Sequence, residues 1–186
     1  YYGPLVDGKL HGRGRIEWTN GGVYRGEFRN GQPEGLGRFE NKRRRYVYAG
    51  HFHLGAFSGQ GELRIDARQI YTGSFKHGRF NGQGRYDDGN DTVYEGEFVD
   101  DRFTGAGVVT RPDGSRHEGL FDNWRPQGSG KFTAADGTVY EGWFQHGDLI
   151  GSARIQRPDG SVYEGEVHNW MPQGQGRMRL ANGDLY

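Results

Sequence analysis

Apolar and aromatic positions alternate with polar ones in two short blocks, and the pair of blocks recurs along the whole chain. In YEGEFVDDRFTGAG, Tyr94 to Gly107, the residues Tyr94, Gly96 and Phe98 are spaced two apart. After an intervening loop, Gly105 and Gly107 resume the same spacing. A period of two is that of a β-strand, and no segment carries the 3.6-residue period of a helix. The aromatic-x-Gly start stands at Tyr1/Gly3, Tyr24/Gly26, Tyr48/Gly50, Tyr71/Gly73, Tyr94/Gly96, His117/Gly119, Tyr140/Gly142 and Tyr163/Gly165, and Tyr186 opens a ninth. The spacing is 23 residues, except for 24 between Tyr24 and Tyr48. The expectation is one array over residues 1–186, with repeats starting at 1, 24, 48, 71, 94, 117, 140 and 163.

Position 5 of a repeat is Phe28, Phe52, Phe75, Phe98, Phe121 or Phe144, with Leu5 in the first repeat and Val167 in the last. Position 12 is always Gly, and position 14 is Gly except at Ala153. Position 16 is apolar or aromatic throughout, from Ile16 to Met178. About six loop residues are expected between the blocks. Asn20-Gly21, Asp113-Gly114, Asp136-Gly137, Asp159-Gly160 and Asn182-Gly183 mark tight turns that pass the chain to the next repeat. Each repeat therefore reads as a β-hairpin. The fold class is all-β: an elongated, single-layer, twisted antiparallel sheet of about eight consecutive hairpin repeats. At about 4.8 Å per strand the eight would span on the order of 75–80 Å.

Glycine is a poor strand former, because it costs backbone entropy and offers nothing to pack. In a sheet with no second layer it has a use. A ring on one strand can lie over the bare backbone of its neighbour only where that neighbour lacks a Cβ. Glycines at positions 3, 12 and 14 are expected to make such slots, with Tyr and Phe filling them.

Composition agrees. The 186 residues include 35 Gly, and aromatics reach 14% while hydrophobic residues total 32%. A disordered chain is poor in aromatics. There is no cysteine, so disulfide and thiolate chemistry are excluded. No apolar run approaches 18 residues and no signal peptide is visible. The first residue is Tyr1, which suggests a segment of a longer protein. The net charge of zero hides an asymmetry. Residues 1–93 carry 15 Lys/Arg against 10 Asp/Glu, and residues 94–186 carry 9 against 14. Bulk attraction to nucleic acid is weak, and none is expected as a partner.

The pattern YxGxF, a loop, then GxG resembles the MORN (membrane occupation and recognition nexus) repeat. YEGEFVDDRFTGAG and YTGSFKHGRFNGQG match it almost position by position. The resemblance implies an antiparallel hairpin array without catalysis of its own, serving as a scaffold or partner-binding groove. It also implies occasional end-to-end dimers, an association with acidic phospholipid, and attachment to other domains. Repeat 2 departs, with one extra residue and the basic run Lys42, Arg43, Arg44, Arg45 in place of its turn. Repeat 3 reads Asp66-Ala67-Arg68-Gln69 there. Asp101, Trp124 and Trp170 replace the glycine usual at position 8, and His117 replaces the leading Tyr of repeat 6.

The candidate partner-binding residues are Trp124, Trp170, Trp143, Tyr94, Phe98, Phe121, Tyr140, Phe144 and Tyr163. Trp124 and Trp170 occupy loops and either engage a partner or stack on Pro126 and Pro172. Trp143 is at an even position on the polar face. The aromatic ladder is either core or an exposed recognition strip for a peptide or an amphipathic helix. Lys42, Arg43, Arg44 and Arg45 could hold phosphate or acidic phospholipid. Glu95, Glu97, Glu118, Glu141, Glu164 and Glu166 form an acidic row that could meet a basic partner. His51, His53 and His77 lack a third ligand at metal spacing, so no metal or other cofactor is expected. No nucleophile–base–acid set is present, and the GxG triplets precede no helix, so the chain is not read as an enzyme. The expected function is a non-catalytic protein-interaction scaffold that binds a protein or peptide partner, with a homodimer through the oppositely charged halves. Alternatives are a peripheral membrane module, a carbohydrate binder, and a regulatory array for an attached catalytic domain. The expected location is cytoplasmic, with membrane association as its variant.

Overall fold

A computed structural model describes residues 1–66 and 68–186. Ala67, part of the repeat 3 turn, lies outside the described residues. Every regular element is a β-strand. Fifteen strands belong to one antiparallel sheet in which spatial order follows chain order, and the first hairpin forms a two-stranded sheet of its own. The chain divides into two compact regions, residues 1–90 with 98–101 and residues 91–97 with 102–186.

The first region holds β1 (Leu5–Val6), β2 (Lys9–Leu10), β3 (Gly12–Glu17), β4 (Gly22–Arg29), β5 (Gln32–Asn41), β6 (Tyr46–His53), β7 (Ala56–Ile65), β8 (Gln69–Lys76) and β9 (Arg79–Asp87). Strand β10 (Val93–Val99) carries residues of both regions. The second region continues with β11 (Arg102–Thr110), β12 (Arg116–Asp122), β13 (Arg125–Thr133), β14 (Val139–Gln145), β15 (Asp148–Gln156), β16 (Val162–His168) and β17 (Met171–Arg179).

The expected six-residue loop does not exist. Strand pairing runs to a two-residue turn at positions 7 and 8, as in Phe75↔Phe80 and Lys76↔Arg79. Both turn residues have positive φ: Asn30 50° and Gly31 87°, His77 51° and Gly78 79°, Asn123 46° and Trp124 70°. Positive φ at both positions is the type I′ requirement, which matches the twist of the flanking strands and favours Asn, Asp and Gly. The position 8 N–H then donates to the position 10 carbonyl of the preceding hairpin, as Gly78 does to Phe57 at 2.9 Å and Trp124 to Phe103 at 2.9 Å. This ties each hairpin tip to its neighbour.

The turns between repeats follow their Asx-Gly signal. Asp113, Asp136 and Asp159 each accept the N–H two residues on at 2.8 Å. Hydrogen bonds from Ser115, Thr138 and Ser161 hold these carboxyls below the usual range. In repeat 2, Asn41 does this work, accepting from Arg44 N at 3.0 Å.

Glycines at positions 3 and 14 pair across each strand boundary from β3 to β9. The row runs Gly14↔Gly26, Gly26↔Gly37, Gly37↔Gly50, Gly50↔Gly61, Gly61↔Gly73 and Gly73↔Gly84. Position 12 is different, and here the expectation is corrected. Its glycines have φ between 56° and 101° and sit where the register shifts inside each hairpin. A Cβ there would face the position 4 residue of the other face, His51 at Gly59 and Leu120 at Gly128. Position 12 is thus glycine for its backbone conformation at a bulge, not to seat a ring.

Candidate functional site

The aromatic face of the first region is regular. A Cβ at Gly37, Gly61 or Gly84 would run into the ring of Tyr24, Tyr48 or Tyr71. Each of these rings lies flat over the glycine row, and its hydroxyl donates to the position 4 carbonyl: Glu27 O at 2.8 Å, His51 O at 2.8 Å and Ser74 O at 3.0 Å. Burial pushes the Tyr24 and Tyr48 hydroxyls up to about 12, and Tyr71 rises for the same reason. Position 5 phenylalanines stand edge-on to the tyrosines, Phe28 and Phe52 at 5.0 and 4.8 Å from Tyr24. Position 10 adds a third ring that the alternation did not reveal. Phe57 stacks on Tyr48 at 3.9 Å and Phe80 on Tyr71 at 3.7 Å.

The second region alternates instead. Over Gly107 lies Phe103, a position 10 residue, while Tyr94 stands edge-on to Phe103 and to Trp124 at 5.4 and 5.0 Å. Two repeats later the arrangement returns. Leu149 and Ala153 occupy the space beside Gly142, and Tyr140 packs against Trp170 at 5.4 Å. Tyr163, by contrast, covers Gly176 and donates to Glu166 O at 2.7 Å. Trp124 and Trp170 thus lie against aromatics of the preceding repeats, half-buried, rather than out in solvent.

Of the two readings of the aromatic ladder, core or exposed strip, four of its residues fit the core. Phe98, Phe121 and Phe144 are buried under the rings of Phe80, Phe103 and Trp170, and Tyr163 is buried in a cluster with Leu149, Ile155 and Val167. The face opens at Pro33 and Pro126, position 10 prolines that supply the carbonyl the tie needs but only a small ring. Over Pro33 lies a groove of about 440 Å³, floored by Tyr24 and walled by Trp18, Phe39, Tyr46 and Phe57. Over Pro126 the same repeat positions make a groove of about 350 Å³, floored by His117 and walled by Phe132 and Arg111. Trp170 stands in the second groove where Gly78 stands in the first. His117 is 2% exposed, its Nε2 lies over Gly130 without a hydrogen-bond partner, and burial lowers it to about 4, with Arg111 adding to the effect. The imidazole is too short to repeat the tyrosine hydroxyl bond.

The MORN repeat family pattern matches residues 1–23, 24–41, 48–65, 71–93, 94–116, 117–139 and 163–185. The chain belongs to the MORN repeat family. Residues 140–162 fall outside those matches, yet β14 and β15 form a MORN hairpin there. One residue there departs from the glycine pattern, Ala153, whose Cβ together with Leu149 occupies the space beside Gly142. Alsin of Rattus norvegicus is 43% identical over 67 residues, and alsin of Homo sapiens 42% over 67 residues. These stretches cover 33% of this chain, and the chain spans 4% of the length of these relatives. Among solved structures, the SAS-4 (dCPAP) TCP domain of Drosophila melanogaster, in complex with a proline-rich motif of Ana2, is similar with a TM-score of 0.53. It is 10% identical over 100% of this chain and 95% of that one. The TCP10 domain of Danio rerio CPAP gives 0.44 at 17% identity, over 97% and 89%. The likeness is one of fold.

On the other face of the MORN sheet, Trp143 is 53% exposed and pairs with Ser129 and Ile150. The acidic row is partly neutralised, along its own strand at Glu118 by Arg116 at 2.7 Å and across strands at Glu141 by Lys131 at 3.7 Å and Glu164 by Arg154 at 3.2 Å. His53 faces Glu34 at 3.0 Å and His51 faces Gln60 O at 3.3 Å. Among the described residues no three His, Asp or Glu side chains gather as metal ligands. In the basic run, Arg45 pairs with Asp66 at 2.9 Å, while Lys42, Arg43 and Arg44 are exposed. No helix among the described residues is long and apolar enough to cross a membrane.

Proposed function

We propose that this MORN array is a protein-interaction scaffold without catalysis of its own, taking an extended peptide or protein segment on its aromatic face. The supporting observation is the ring-walled groove over Pro33, whose volume falls within the roughly 300–1,000 Å³ of ligand sites. The similar Drosophila TCP domain is in complex with a proline-rich motif, which is in keeping with this reading. Trp124, Tyr94 and Tyr140 would contribute contact area from half-buried positions, and Trp143 would serve the opposite face.

A random 12-residue peptide library selected on the full chain tests the reading. The expected result is an enriched family whose binding protects aromatic-face residues from oxidative footprinting. No enrichment, or protection confined to the opposite face, contradicts it.

The exposed Lys42, Arg43 and Arg44 favour a second reading, a peripheral contact with acidic phospholipid. Pelleting with phosphatidylserine vesicles, lost on changing all three to Glu, would support it; no pelleting contradicts it. The opposite charge of residues 1–93 and 94–186 also suits a homodimer. Sedimentation at two salt concentrations should then show a dimer at the lower one, and a monomer at both removes the idea.

A further inference from the structure

The groove over Pro33 differs from its counterpart over Pro126 in two ways. Its position 8 wall is Gly78, where the other has Trp170, so it is open rather than filled. A basic run also adjoins its rim. Asn20 lines it, and the adjacent Gly21 lies under Arg43: a Cβ at Gly21 would be 3.1 Å from Arg43 Cγ and Cδ. Tyr46, which also lines the groove, directly follows the run Lys42, Arg43, Arg44, Arg45. Arg45 is taken by Asp66, but among the described residues Lys42, Arg43 and Arg44 form no ion pair. At the Pro126 groove, Ala135 and Asp136 stand where this run would be, and the lining charges are one of each sign, Arg111 and Asp113.

We propose that the Pro33 groove is an anchor site for a peptide whose bulky apolar side chain enters between Trp18, Phe39 and Phe57 while adjacent carboxylates meet Lys42, Arg43 and Arg44. This rests on the scaffold reading and names its partner chemistry. Three unpaired cations beside an aromatic cleft disfavour a basic or neutral flank and steer an acidic one. A membrane fits the cleft less well. The aromatic rings are recessed in a concavity, and the basic run carries no protruding apolar side chain to enter a bilayer.

The chain itself shows how to close the groove. Gly78→Trp places at position 8 the residue that repeat 8 already has, in a left-handed conformation that Trp124 and Trp170 adopt at φ 70° and 71°. Nothing lies within 4 Å of a Cβ at Gly78. Pro33→Phe is a second closure, copying the ring that Phe57 and Phe80 supply at position 10. Peptides selected from the random library are labelled and titrated by fluorescence anisotropy against the full chain. The expected result is an apolar residue flanked by two or more Asp or Glu, with Kd raised at least tenfold by Gly78→Trp or Pro33→Phe. The triple change of Lys42, Arg43 and Arg44 to Glu should match that rise, and Trp170→Gly should leave Kd within twofold. Enriched peptides without acidic flanks, or binding insensitive to the closures or to the triple change, overturn the anchor site but leave the scaffold standing. Absence of any enriched peptide overturns both, and pelleting with phosphatidylserine vesicles in that case assigns the basic run to a membrane.

Discussion

In the first region the rings over the glycine row are all leading tyrosines, and position 10 only stacks on top. In the second region the slot changes hands: Phe103 takes it from Tyr94, and Leu149 with Ala153 takes it from Tyr140. Each displaced tyrosine meets a tryptophan one repeat on, at position 8. The same 23-residue plan thus has two packings, a simple one and one that alternates over a pair of repeats. What separates them is the bulk at position 8 of the next repeat: Gly55, Gly78 and Asp101 follow seated tyrosines, and Trp124 and Trp170 follow displaced ones, while position 10 is Phe in both regions. One result is a groove left open over Pro33 and a matching one occupied by Trp170.

The comparison predicts unequal costs for like substitutions. The largest effect belongs to Phe103→Ala, which empties the slot itself in a fully buried site. It should cost about 3–5 kcal/mol in urea unfolding. Phe57→Ala leaves Tyr48 seated and should cost about 2 kcal/mol. Equal losses would erase the distinction between the regions. Next is Gly61→Ala, whose Cβ meets the Tyr48 ring, at about 1–3 kcal/mol. Ala153→Gly, at the equivalent position, should change stability by no more than about 1 kcal/mol.

Trp170→Gly sets two effects against each other. It removes ring contacts with Phe132, Tyr140 and Phe144, but relieves a left-handed non-glycine residue. The net loss should be about 1 kcal/mol. Stability should also depend on pH through His117. The folded state holds His117 neutral down to about 4, while the unfolded chain protonates near 6.5. The unfolded state therefore binds more protons between these values, and stability falls as pH drops from 7 to 4. His117→Tyr should remove that part of the slope and add about 1 kcal/mol through a new bond to the Leu120 carbonyl. A slope unchanged in the variant would place its source elsewhere.

The repeat length, the antiparallel hairpins and the slots at positions 3 and 14 could be read from the spacing of Tyr and Gly. Position 10 could not, because the alternation breaks there and the stretch reads as loop. Yet Asn30-Gly31 and His77-Gly78 already carry the two-residue turn, and Leu10, Phe57, Phe80, Phe103 and Leu149 recur at one position. The displaced tyrosines are hidden for another reason. Tyr94, Tyr140 and Tyr163 open with the same YEG triplet, so nothing local tells the seated one from the two that are not. The deciding residue is position 8 of the next repeat, Trp124 after Tyr94 and Trp170 after Tyr140. The grooves are equally non-local, since each draws on residues of successive repeats.

The exchange of ring over glycine can be observed directly by nuclear Overhauser contacts to glycine α-protons. The expected set joins Gly61 to Tyr48, Gly84 to Tyr71 and Gly176 to Tyr163, but Gly107 to Phe103. A contact between Gly107 and Tyr94 in place of Phe103 would mean that both regions pack alike, and the account of why one groove is open would not stand.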